Sequence, residues 1–110
     1  MYLPKKDIKE TLDTLEVPVF QESQTVFNKL PAITFKVTNN DVDLFLDNTI
    51  SHQNIEVQID IWAESSVEAS SLLSRVEEKM RNDLYHMNYS ADVPNTGNIF
   101  HIVSRFNKSI

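Results

Sequence analysis

The side chains able to do chemistry are few, and their spacing works against them. The three histidines are His52, His86 and His101. His52 sits in an expected loop beside Ser51, His86 just past an expected helix, and His101 on an expected strand with Val103 and Arg105. No two stand at metal-ligand spacing on one element, and the H-E-x-x-H pattern is absent. They read as solvated or edge-of-core side chains. Asp41-x-Asp43 opens like a calcium loop, but such a loop needs Gly at its sixth position and Glu at its twelfth. Those positions are Leu46 and His52. Acids at a hairpin tip serve instead to deter strand pairing. Asp60 and Glu64 bracket Trp62, and paired carboxylates can do acid–base work, yet no nucleophile accompanies them. With no cysteine, disulfides, thiolate catalysis and cysteine-held metals drop out. A single glycine, Gly97, rules out a glycine-rich phosphate loop. The expectation is a protein with no catalytic residues, no metal and no cofactor.

The elements that would position any site follow from the hydrophobic rhythm. The chain has 110 residues, 41% hydrophobic and 24% charged, which suits one soluble globular domain. Acids outnumber bases 16 to 10, for a net charge of −6. Apart from the Lys5-Lys6-Lys9 turn the basic residues are scattered, so a phosphate-neutralising patch is not expected. The opening MYLPKKDIKETL lacks the apolar core of a signal peptide, and no apolar run reaches membrane-spanning length. A soluble protein made in the cytoplasm is expected.

Pro4 followed by Ile8, Leu12 and Leu15 predicts an amphipathic helix over 4–15. Pro18 stops it, and Val17, Val19 and Phe20 suggest a brief extended segment. Residues 21–30 are polar and irregular, with Val26, Phe27 and Leu30 as candidates to tuck onto the core. Ile33, Phe35 and Val37 then alternate with Thr34, Lys36 and Thr38, predicting a strand. Asn39-Asn40-Asp41 reads as a turn into a returning arm over 42–47, and the pattern breaks over 48–53. The most ordered stretch is NIEVQIDIWAESSVEASSLLSRVEEKM. Ile55, Val57, Ile59 and Ile61 point one way and Glu56, Gln58, Asp60 and Trp62 the other, giving a long strand with one buried face. Ser65 and Glu68 form a capping box. Ala69, Leu72, Leu73, Val76, Met80 and Leu84 mark the buried stripe of a helix of 18–20 residues. Tyr89, Ala91 and Val93 suggest a strand, 94–98 a turn, and 99–106 a last strand. The fold class is α+β, a mainly antiparallel or mixed sheet of four to five strands with two helices packed on it, in one domain over 1–110.

Two aromatics stand where aromatics need a reason. Trp62 lies on the polar side of its strand, so another element covers it or a partner does. Phe45 shares a side with Asp43 and Asp47 in the arm. Either it meets a neighbouring subunit or another component after folding, or residues 21–30 fold over it. Asp43, Phe45, Asp47 and Trp62 are therefore the candidate interface residues.

Several motifs carry a resemblance. They are Leu30-Pro31-Ala32-Ile33-Thr34-Phe35, then Val57-Gln58-Ile59-Asp60-Ile61-Trp62, then Ala69 with Leu72 or Leu73, Val76 and Met80, and a closing Ser104-Arg105-Phe106. In this order the chain resembles the tail-terminator, or tail-completion and head–tail joining, proteins of long-tailed bacteriophages and prophages. The match spans nearly the whole chain and consists of packing patterns. The C-terminus stops soon after Phe106, where members of that family can extend further. The resemblance implies a non-enzymatic virion protein at the head–tail junction, a homo-oligomeric ring, typically a hexamer. Such a ring caps the tail tube protein, docks to the head connector or completion protein, and lets DNA pass without specific binding. A head-completion or neck protein of the same junction, or a small acidic cytoplasmic binding module, are the alternatives.

Overall fold

Pro4 opens the first helix, α1 (Pro4–Asp13), where its fixed φ and missing N–H are tolerated. In the computed structural model the five strands follow as β1 (Val19–Gln21), β2 (Ala32–Leu44), β3 (Ile50–Ala63), β4 (His86–Val93) and β5 (Phe100–Ser109), with α2 (Ser66–Asn82) between β3 and β4. The structure describes residues 2–21, 29–44, 50–94 and 97–110. The sheet order is β1-β2-β3-β5-β4. β1 pairs parallel with β2, and the other neighbours are antiparallel. This is the expected α+β class, with a mixed sheet and two helices.

The core forms between one sheet face and the helices. Ile33, Phe35, Val57, Ile59, Ile61, Ile102 and Phe106 meet Ile8, Leu12, Ala69, Leu72, Val76 and Met80, all buried. Strand period two and helix period 3.6 put these apolar sets on facing surfaces, so their burial is what fixes the register. Ser104 sets a buried hydroxyl among the sheet's core positions, and it donates to the Ile59 carbonyl at 2.8 Å.

The capping of α2 is half as expected. Ser65 Oγ accepts from the Glu68 N–H at 3.1 Å, but Glu68 Oε1 accepts from the Glu64 N–H at 3.2 Å, not from Ser65. The far end corrects the helical stripe. Leu84 lies beyond the helix, in the left-handed region with φ +69°. The Leu84 N–H donates to the Arg81 carbonyl and the Tyr85 N–H to the Met80 carbonyl, each at 2.9 Å. This is a Schellman turn. It swings Leu84 out, 70% exposed, and drops Tyr85 into the core at 1%.

A second correction concerns the arm. The turn expected at Asn39-Asn40-Asp41 does not form. β2 runs on to Leu44 with a bulge at Thr38, pairing Asn39 with Glu56, Asp41 with Asn54 and Asp43 with His52. Residues 42–44 therefore belong to the outgoing strand, and the supposed break at 48–53 is largely the start of β3. Turn propensity is local and weak, and a 14-residue partner strand with a buried face outweighs it. Gln53 shows how the arm's base is held. It is buried, and its side-chain amide donates to the Tyr2 carbonyl at 3.0 Å and to Asn40 Oδ1 at 2.9 Å. Val26 and Phe27, expected to tuck inward, lie outside the described residues.

Candidate functional site

Alternation along β3 sends Gln58, Asp60 and Trp62 to the face that carries no helix, and alternation along β5 sends His101, Val103 and Arg105 there too. The register sets Trp62 beside His101 and Asp60 beside Val103. The indole and imidazole rings stack with centroids 3.7 Å apart and 12° between planes. His101 Nε2 lies 2.9 Å from Asp60 Oδ2. Asp60 Oδ1 accepts from the Gln58 amide at 2.9 Å, so both carboxylate oxygens are engaged. The Trp62 N–H donates to Thr34 Oγ1 at 3.2 Å, across from β2. The His101 and Asp60 side chains are only 11% and 16% exposed although, among the described residues, no helix lies on this face. Beside this cluster the Arg105 guanidinium lies over the Tyr89 ring, 5.1 Å from its centroid.

The arrangement ties three strands together. Trp62 is half-buried and bonded within its own chain. The imidazole has a carboxylate on one nitrogen and an indole against its face. The Thr34 hydroxyl accepts from the indole, and the Ser104 hydroxyl points to the opposite face. Among the described residues no three His, Asp or Glu side chains converge as a metal site would require. Asp60 and Glu64, noted as a bracketing pair, take different roles: Asp60 joins the cluster, while Glu64 is exposed beyond the strand. His52 lies on β3 and not in a loop, its Nε2 3.1 Å from Asn54 Oδ1, while His86 opens β4 just past α2.

Of the other candidates, Asp43 is exposed on the arm opposite His52, on the helix-free face. Phe45 and Asp47 lie outside the described residues. The Asp60–His101 pair escaped the sequence because 41 residues separate the partners. Its only trace is that both occupy the polar side of an alternating strand.

A second cluster fastens the N-terminus. The Tyr2 hydroxyl donates to the Asp7 carboxylate and lies 3.2 Å from the Tyr85 hydroxyl. Lys108 Nζ stands over both rings, 4.4 Å from the Tyr2 centroid and 5.1 Å from that of Tyr85. Burial, then the bond to Asp7, pushes the Tyr2 hydroxyl well above the usual phenol range, and burial raises Tyr85 as well. A phenol held protonated acts as a donor. Thr11 adds a further bond, its hydroxyl donating to Asp83, which links α1 to the end of α2.

Neither protein-family models nor curated proteins give a match to this chain.

Proposed function

We propose that this chain is a non-enzymatic structural subunit of the head–tail junction of a long-tailed bacteriophage or prophage. In this reading copies assemble into a ring, on the order of six, that caps the tail tube and meets the head connector while DNA passes through. Its support is the order of packing motifs, from Leu30-Pro31 through Val57–Trp62 and the α2 stripe to Ser104-Arg105-Phe106, together with one structural observation.

That observation is the arm. β2 and β3 have 13 and 14 residues, well above the usual strand length of about 5–6. The pairing of β3 with β5 ends near Asn54 and Ser109, followed by the bonds between Gln53 and Ile110. Beyond this, among the described residues, the strands of 41–44 and 50–52 pair only with each other. The molecule measures 54 × 23 × 22 Å, with a radius of gyration of 15.0 Å. A compact domain of this length would give about 13 Å. An isolated two-stranded ribbon is marginal in water, so one projecting from a small domain gains its support from a neighbour. Subunits that must reach one another around a channel need such an extension.

The test has two parts. Electron microscopy and mass photometry of the purified protein should show closed rings. Adding the protein to polymerising tail-tube subunits should stop elongation at the capped end. A protein that stays monomeric at high concentration and leaves tube growth unchanged is not a tail terminator.

A further inference from the structure

A cleft of about 680 Å³ runs between the first turn of α1 and β2, walled by Leu3, Lys5, Lys6, Val37 and Asn40. Its apolar side includes Leu3, 61% exposed. Its rim carries the exposed Lys5 and Lys6, which belong to the one basic run of a chain with net charge −6. Beyond this cleft β2 continues into the arm. There Asp41 and Asp43 stand opposite Asn54 and His52, on the sheet face turned away from the helices, and both are exposed. The Asn39 side-chain amide donates to Asp41 Oδ2 at 2.9 Å and holds that carboxylate in place.

We propose that the cleft receives the arm of a second copy of this chain, with Lys5 and Lys6 facing that copy's Asp41 and Asp43. The occupant is argued from charge and from placement. Two exposed acids two residues apart on one strand face match the two neighbouring ammonium groups on the rim of the cleft. The lysines belong to the helix-covered side of the sheet and the acids to the bare side. Each copy thus offers its acids to one neighbour and its lysines to another. Such a contact is heterologous, and it closes into a ring when the rotation per copy divides a full turn. The inference rests on the reading that the chain assembles with itself and adds which two surfaces meet.

Charge exchange tests it. Lys5→Glu with Lys6→Glu, and separately Asp41→Lys with Asp43→Lys, change exposed side chains only. Acids in the first turn of a helix also favour the fold. Circular dichroism melts confirm that both variants are folded. By light scattering across a concentration series, the wild type should oligomerise. Each variant alone should associate at least about tenfold more weakly, because like charges then face each other. An equimolar mixture of the two should regain the wild-type mass, since every cleft again meets an arm of opposite charge. Variants that each assemble like the wild type would overturn this contact and leave self-assembly standing. A mixture that fails to recover would overturn the pairing of these two surfaces. A wild type that stays monomeric would overturn both the contact and the ring reading. An unrelated acidic peptide that fills the cleft while copies stay apart would assign it to a foreign partner.

Discussion

His101→Ala should destabilise the fold more than an exposed histidine can, and a double-mutant cycle with Asp60→Ala should show why. The bond between the two side chains is 2.9 Å, and they are only 11% and 16% exposed. A hydrogen bond to a charged group contributes about 1.5–3 kcal/mol. Losing the stack on Trp62, with centroids 3.7 Å apart, removes about 0.5–1.5 kcal/mol more. His101→Ala is therefore expected to cost about 2–4 kcal/mol, a large share of a domain stability of about 5–15 kcal/mol. Asp60→Ala also frees the Gln58 amide, so the two single effects overlap only in the bond they share. The coupling energy of the cycle should be about 1–3 kcal/mol. Urea unfolding of the four proteins, followed by tryptophan fluorescence and extrapolated linearly, provides the measurement. Trp62 is the chain's only tryptophan, so the probe sits inside the cluster, and circular dichroism serves as the second probe. A coupling below about 0.5 kcal/mol would place the pair with exposed ion pairs and refute its role as a tie across the sheet. An unchanged stability with lost self-assembly would instead make the Trp62–His101 face an interface.

Three further outcomes are expected. Leu72→Ala on α2, 3% exposed, should lower stability by about 2–5 kcal/mol. Glu77→Ala, which loses only a 3.6 Å surface pair with Arg81, should change it by under about 0.5 kcal/mol; equal effects in thermal melts would refute the assigned helix face. Leu84→Gly should raise stability by about 0.5–1 kcal/mol, because the left-handed backbone disfavours a side chain and this one is 70% exposed; a loss of stability in urea melts would show that Leu84 packs against something in solution. Above pH 10, stability should fall as pH rises. Tyr2 and Tyr85 have folded pKa values raised above 10.0, so they stay protonated in the fold after the unfolded chain has released those protons. Their contribution is complete below pH 10 and is lost on going above it. Tyr2→Phe should flatten this slope in urea melts at pH 9 to 11.5, and an unchanged slope would place the titration elsewhere.

Hydrophobic rhythm alone determined the element types. Ile55, Val57, Ile59 and Ile61 at period two, and Ala69, Leu72, Val76 and Met80 at helical spacing, could bury only one face each, and the structure buries those faces. The same rhythm announced α1, although the helix ends at Asp13, short of the expected residue 15 and of Pro18, and the local residue types announced the capping role of Ser65. Local signals misled where a longer pairing or a turn outweighed them. Asn39-Asn40-Asp41 looks like a turn, yet β3 pairs with it as strand. Leu84 continues the helical stripe in spacing, yet the Schellman turn replaces it in the core with Tyr85. The clusters were the least legible part. The Asp60–His101 bond and the Tyr2–Tyr85 contact join residues 41 and 83 positions apart. Strand order and register decide such meetings, because periodicity says which face a side chain takes and is silent about which strand lies beside it.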